Sequence, residues 1–209
     1  MMNSYTTVKE FAEFRIEEKK SVFIGHAAPV SSESEAIEFV ASVKKKYPDA
    51  RHWVYAYVIR DNSIMRYSDD REPQGTAGMP VLDVIRKNGC TDTVIVVVRY
   101  FGGTLLGTGG LVRAYTESAL GALKAASIIE YNLYTELNIK VSYSDYQRLL
   151  PMLAPFEFLT DSVEYAEDVV VKGTVASDKA EELSRCVTEL TSGRGFVEHV
   201  AEKFDFRES

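Results

Sequence analysis

Two segments of this 209-residue chain concentrate residue types that bind ligands or do chemistry. The first is Ser68-Asp69-Asp70-Arg71-Glu72-Pro73-Gln74-Gly75-Thr76-Ala77-Gly78-Met79-Pro80. Asp69, Asp70 and Glu72 are close enough along the chain to repel one another unless a cation joins them. Mg²⁺ or the guanidinium of Arg71 or Arg99 could serve. The competing reading is an acidic surface turn in which Asp69 and Asp70 cap backbone N–H groups. Pro73, Gly75, Gly78 and Pro80 constrain the backbone more than a plain connector requires. Ser68 and Thr76 are the hydroxyls to watch.

The second segment is Arg99-Tyr100-Phe101-Gly102-Gly103-Thr104-Leu105-Leu106-Gly107-Thr108-Gly109-Gly110. Its glycines let backbone N–H groups approach a ligand closely. A helix beginning after it adds partial positive charge. Arg99 and Arg113 flank the loop and can each hold a phosphate bidentately. The segment therefore reads either as an anion cradle or as a loop made glycine-rich for tight strand–helix packing. It lacks the Lys of a Walker loop after Gly107, and Val112 stands where a Rossmann fingerprint needs Gly.

The expected ligand-binding residues are Asp69, Asp70, Glu72, Gly75, Thr76, Gly78, Arg99, Tyr100, Gly102, Gly103, Gly107, Thr108, Gly109, Gly110 and Arg113. No catalytic residue can be named, because no Ser–His–Asp or Cys–His constellation assembles. His26, His52 and His199 are scattered and lack Cys partners at ligand spacing, so no metal site and no cofactor are expected. His52 beside Trp53 reads as a strand-end histidine with a satisfied ring.

These segments need a scaffold. Val8 to Ile16 and Val22 to Ala28 read as strands joined by a Lys19-Lys20-Ser21 turn. Ser32 with Glu35 forms a capping-box pattern. It precedes a helix with Ala36, Ile37, Val40, Val43 and Tyr47 on one side. Lys44-Lys45-Lys46 falls in that helix's last turn, where cations suit the dipole. His52 to Ile59, a turn at Asp61-Asn62-Ser63, and Ile64 to Tyr67 follow as a hairpin. Val81 to Lys87 reads as helix, Thr93 to Val98 as a strand buried on both faces, and Leu111 to Ala126 as a helix. Beyond Tyr134 come the strand Thr135–Val141, a helix that Ser144 could cap and Pro151 should shorten or kink, and the strands Phe156–Tyr165 and Asp168–Val175. A helix with Asp178 and Glu181 as a second capping-box pattern and the strand Phe196–Phe206 complete the chain. That order is βαββαβ, the ferredoxin-like split unit. The expectation is an α+β chain of two domains, residues 1–133 and 134–209.

The bulk numbers restrict function. Net charge is −7. Sixteen Lys and Arg balance sixteen Asp and Glu up to residue 135, so the whole acidic excess lies after it. An acidic C-terminal domain is repelled by phosphate backbones, so any nucleic-acid contact belongs to the N-terminal domain. No apolar run approaches the roughly 20 residues that cross a bilayer, and the first ten residues do not read as a signal peptide. With Cys90 and Cys186 alone, no disulfide framework is indicated. A cytoplasmic location is expected, with no membrane partner.

Taken together, the motifs resemble those of the IMPACT family, in its bacterial YigZ-type branch. The resemblance rests on Lys20-Ser21-Val22-Phe23-Ile24-Gly25 and His52-Trp53-Val54-Tyr55-Ala56-Tyr57. It rests further on Asp69 to Pro80, similar to DDGEP-x-GTAG-x-P, and Arg99 to Tyr115, similar to RYFGG-x-x-LG-x-GGL-x-RAY. Arg71 stands where the family has Gly; if that position needs φ > 0, Arg carries a steric cost there. The resemblance implies a first domain like the second domain of a small-subunit ribosomal protein. It implies a second domain like the C-terminal domain of elongation factor G. Eukaryotic relatives are translational regulators that act through protein partners of a stress kinase. The implied function is a translation-associated regulator that binds RNA, the ribosome or another phosphate-bearing ligand through the N-terminal domain. The alternatives are a protein-interaction adaptor with a translation-related partner, and an enzyme acting on a small phosphorylated or peptide substrate.

Overall fold

The computed structural model describes residues 3–60 and 63–206. Of the expected turn at Asp61-Asn62-Ser63, the first two positions lie outside the described residues. The chain divides into two units, one spanning Tyr5–Glu130 and the other residues 3–4 with 131–206. The structure is α+β throughout.

In the first unit the strands β2 (Ala12–Glu18), β3 (Ser21–Pro29), β4 (His52–Ile59), β5 (Ile64–Ser68) and β6 (Thr93–Tyr100) form one antiparallel sheet. Its order is β2-β3-β6-β4-β5. A preceding strand, β1 (Ser4–Val8), ends where Lys9 N donates to the carbonyls of Ala126 and Ser127. Those bonds divide the single strand expected over Val8–Ile16. Lys19 and Lys20, both at positive φ, make the β2–β3 turn.

Central β6 alternates perfectly, and both faces are covered. Val94, Val96 and Val98 pack toward α1 (Glu33–Lys46), with Ala36, Val40 and Val43. Ile95 and Val97 pack toward α2 (Gly78–Lys87) and α3 (Thr108–Ala125), with Val81, Ile85, Leu111, Tyr115, Ala119 and Ala122. This three-layer arrangement buries strand residues on both sides, which is why β6 reads as an unbroken apolar run. Ile37 departs from expectation at 56% exposed. The inward stripe is Ala36, Val40, Val43 at helical spacing, and Ile37 falls 100° off its first member. Ser32 Oγ caps α1 as expected, accepting from Glu35 N, but the Glu35 carboxylate returns to Ser31 rather than to Ser32.

In the second unit β7 (Ile128–Val141, its residues from Tyr131 on), β8 (Leu159–Tyr165), β9 (Val169–Ala176) and β10 (Phe196–Asp205) pair antiparallel in the order β10-β7-β9-β8. Helices α4 (Tyr143–Leu153) and α5 (Ser177–Leu190) supply Leu149, Leu153, Leu183 and Val187 to a core with Leu137, Ile139, Val169 and Val171. This is the ferredoxin-like βαββαβ arrangement. Ser142, not Ser144, caps α4, accepting from Asp145 N. Pro151 lies inside α4, which continues to Leu153. β8 begins three residues later than expected, because residues 154–156 form a 3₁₀ turn that Glu157 closes at φ 55°. Asp178 stands in the first turn of α5 rather than at its cap, which is Ala176. There it faces the positive end of the helix dipole.

Candidate functional site

Three adjacent strands end side by side. Register places Phe23 of β3 and His52 of β4 both opposite Arg99 of β6. Strand alternation turns Arg99 to the same face as Ile95 and Val97, toward α2 and α3. A guanidinium at the rim of an apolar core needs a counter-charge, and the turn after β5 delivers it. Glu72 Oε1 accepts a short bond from Arg99 Nη1. The same oxygen accepts from the Tyr115 hydroxyl of α3 at 2.9 Å. His52 Nε2 lies 3.7 Å away, while His52 Nδ1 meets the Asp70 carbonyl at 2.8 Å. A carbonyl only accepts, so Nδ1 carries the proton and Nε2 is the nitrogen turned toward Glu72. Arg99 is 5% exposed and Glu72 9%. Burial, then the Glu72 charge, push the Tyr115 phenol far above its ordinary range, so it remains a hydrogen-bond donor.

The three neighbouring carboxylates do not converge. Asp69 accepts from the backbone N–H groups of Gly75, Ala77 and Gly78 at 3.0, 3.1 and 2.8 Å. It thereby caps the start of α2, whose own cap residue Ala77 has no acceptor side chain. That cap lets α2 begin at Gly78, three residues before its expected start, with Pro80 in the first turn where no N–H is needed. Asp70 Oδ2 accepts from Trp53 N at 2.8 Å. Both aspartates are spent on backbone, with Arg71 Nη2 4.0 Å from Asp70 Oδ2, and Glu72 pairs with buried Arg99. The turn needs a left-handed step, with Asp70 at φ 40° and Arg71 at φ 70°. Arg71 thus occupies the conformation that glycine adopts without cost.

The glycine-rich segment divides into two uses. Gly102 lies where an added Cβ would sit 2.1 Å from the Lys20 carbonyl carbon, so it permits close approach to the β2–β3 turn. Gly107, at φ 72°, is the cap residue of α3 and supplies no side-chain cap to its first turn. In front of that helix start is a cleft of about 370 Å³. It is lined by Arg51, His52, Arg71, Glu72, Pro73, Arg99, Phe101, Leu105, Leu106, Gly107, Thr108 and Leu111. The Arg51 and Arg99 guanidinium carbons lie 5.5 and 5.7 Å from the Phe101 ring centroid. Three guanidinium groups against one carboxylate leave the cleft positive.

Of the residues expected from sequence, Glu72, Arg99, Gly107 and Thr108 line this cleft. Asp69, Asp70, Gly75 and Gly78 hold the preceding turn, and Thr76 Oγ1 donates to the Pro73 carbonyl at 2.6 Å. Tyr100 faces the opposite side of the sheet and donates to Asp49. Gly103 lies in the open loop, and Gly109 and Gly110 lie in the first turn of α3. Arg113 is exposed, with Nη1 3.6 Å from where a Cβ on Gly109 would be. Arg51, Phe101, Leu105 and Leu106 were not anticipated. Arg51 is one residue before a strand that register places beside Arg99, a relation no local spacing displays.

Elsewhere, Ser184 Oγ lies 3.2 Å from His199 Nε2. That hydroxyl already donates to the Ala180 carbonyl at 2.9 Å, so the imidazole must be the donor and does not activate the serine. Among the described residues no cluster of three His, Cys, Asp or Glu side chains could hold a metal ion. No helix of the described residues is long and apolar enough to cross a membrane.

Comparison with known proteins agrees over both units. Residues 19–123 match the Impact N-terminal domain, and residues 139–194 match a domain of unknown function. The IMPACT family member YvyE of Bacillus subtilis is 39% identical over 94% of this chain and 91% of its own length. YigZ of Escherichia coli is 34% identical over 84% of this chain and 87% of its own. Protein IMPACT of Bos taurus is 32% identical over 44% of this chain and 30% of its own. A crystal structure of a hypothetical protein superimposes with a TM-score of 0.61 at 31% identity, covering 96% of this chain and 99% of that one.

Proposed function

The chain belongs to the IMPACT family, and from that premise we propose that it is a translation-associated binding protein whose N-terminal unit captures a phosphate-bearing ligand, RNA or the ribosome. The supporting observation is the cleft in front of α3. It joins a helix start with no side-chain cap to the exposed guanidinium groups of Arg51 and Arg71. Backbone N–H groups at a helix start and planar guanidinium forks both suit phosphate oxygens.

The recognition element is thus Arg51 with Arg71, not the Arg99–Arg113 pair expected from sequence. Arg99 is neutralised by Glu72 and supports the wall. The acidic second unit contributes no attraction to phosphate, which keeps nonspecific affinity low and leaves discrimination to the cleft.

Sedimentation with ribosomes on sucrose gradients, at low and moderate salt, tests the reading. Wild-type protein should travel with a ribosomal peak at low salt, and an Arg51→Glu/Arg71→Glu variant should remain at the top. Identical sedimentation of the two proteins would defeat it.

A further inference from the structure

The second unit carries a cluster of ordered aromatic side chains, much of it in water. Tyr143, Tyr146 and Leu150 follow one another at helical spacing and so share one face of α4. Tyr165, the last residue of β8, stands against both tyrosines. Its ring is near parallel to that of Tyr143, with centroids 6.4 Å apart, and edge-on to that of Tyr146 at 6.0 Å. The Tyr143 hydroxyl donates to the Ala166 carbonyl at 2.9 Å, and the Tyr146 and Tyr165 hydroxyls lie 3.3 Å apart. These contacts hold the cluster in place, yet Tyr143 is 52% exposed, Leu150 46% and Tyr165 62%. Tyrosine is enriched at protein interfaces because it offers a large apolar body with a polar tip.

Beside the cluster runs a sheet edge. β8 ends the strand order and pairs with β9 alone, so its other side has no strand partner. Six of its seven residues are exposed. Such an edge accepts an added strand, and charge decides which. Glu157, Asp161, Glu164, Glu167 and Asp168 lie on β8 or within three residues of its ends. Lys179, Lys172 and Lys140 pair with Glu157, Glu164 and Asp168. Asp161 and Glu167 make no ion pair among the described residues, and the whole chain region after residue 135 carries the acidic excess. A second copy of this edge would bring like charges together, and a bulge between Thr160 and Ser162 interrupts its regularity. Both features oppose self-pairing. A cationic strand meets the same charges as attraction, and Ser162–Tyr165 offers it a regular stretch.

We propose that β8 and the tyrosine cluster dock an extended, arginine-rich segment of a partner protein. The segment adds a strand along Ser162–Tyr165, and its arginines meet the exposed tyrosines and the Asp161 and Glu167 carboxylates. Arginine suits this surface better than lysine, because a planar, weakly hydrated guanidinium stacks on aromatic rings. Leu150 adds apolar area on the face of α4 that carries Tyr143. The site lies wholly within the second unit and does not depend on the phosphate reading of the cleft. The cleft, being positive, offers a cationic segment no competing site.

The test is fluorescence anisotropy of the full chain with a labelled nonapeptide alternating arginine and valine. The same peptide with lysine for arginine should bind about fivefold more weakly. The peptide with proline for valine lacks the N–H groups a strand needs and should bind about tenfold more weakly. Tyr143→Ala/Tyr165→Ala, a change at two side chains more than half exposed, should weaken the arginine peptide about tenfold or more. If that variant does not fold, amide chemical shifts of the wild-type protein carry the test. Adding the arginine peptide should move residues 143–150 and 159–168 first. Equal affinity for the lysine or proline peptide, binding unchanged in the tyrosine variant, or shifts centred on Glu181, Glu182 and Glu189 of α5 would mean nonspecific attraction to an acidic surface and overturn the proposal. Absence of binding would overturn it too.

Discussion

Tyr115, in the third turn of α3, donates a 2.9 Å hydrogen bond to Glu72, in the turn after β5, across 43 residues of chain. The bond joins the two sequence segments richest in candidate chemistry, and its acceptor oxygen also receives Arg99. Tyr115 packs edge-on against Phe23, with centroids 5.1 Å apart, so replacing it with Phe keeps the packing and removes only the donor. Tyr115→Phe should destabilise the protein by about 1.5–3 kcal/mol in urea unfolding. Glu72→Ala, which strands the buried Arg99, should cost about 3–5 kcal/mol. A Tyr115→Phe protein as stable as wild type would show that the bond contributes nothing.

Arg71 at φ 70° makes a second prediction. A non-glycine residue in the left-handed region costs about 1–2 kcal/mol, partly offset by the extra chain entropy that glycine brings to the unfolded state. Arg71→Gly should therefore stabilise the protein by about 0.5–1 kcal/mol while weakening binding to RNA or ribosomes. Stability and affinity moving in opposite directions is the signature; a loss of stability would contradict the strain.

His26 is fully buried between sheet and helix, with Nε2 3.2 Å from the Tyr47 hydroxyl and 3.3 Å from Glu13 Oε1, beside Lys46. Burial lowers its pKa below 6.5, against the raising effect of Glu13. The unfolded chain then binds the proton more readily. Stability is fully present above 6.5 and falls as pH drops from there toward the folded value, by at most about 1.4 kcal/mol per pH unit. Denaturant midpoints between pH 7 and 5 should show this slope in wild type and a flatter line in His26→Gln. Parallel lines would remove His26 as its source.

Cys90 is buried, and burial pushes its thiol up to about 11. Only the thiolate reacts quickly. Iodoacetamide at pH 8 should label half-exposed Cys186 first and Cys90 only on unfolding, as peptide mass mapping would reveal. Labelling of both at equal rates in the folded state would contradict the packing.

How far the sequence exposes this architecture depends on the range of each interaction. The βαββαβ order of the second unit and the strand–loop–helix around Gly107 follow from periodicity and glycine placement, which are local. The doubled Asp69-Asp70 was legible as a turn with backbone caps, because its partners lie within nine residues for Asp69. The cleft was not. Arg51 meets it through β4–β6 register, and Glu72 finds Arg99 and Tyr115 through the three-layer packing. Arg113 flanks the loop in sequence, and in the structure it is exposed on α3 with Nη1 3.6 Å from where a Cβ on Gly109 would be. The short helix around Pro151 was legible too, since α4 ends two residues after it, at Leu153.

The central claim is that Arg51 and Arg71 contact phosphate. It is tested most directly by the salt dependence of single-stranded RNA binding, with wild type beside Arg51→Ala/Arg71→Ala. For single strands the slope of log K against log salt is about −0.7 per neutralised phosphate. Removing two phosphate contacts should therefore flatten the slope by about 1.4 as affinity falls. An unchanged slope, with or without a change in affinity, would show that these arginines do not meet phosphate.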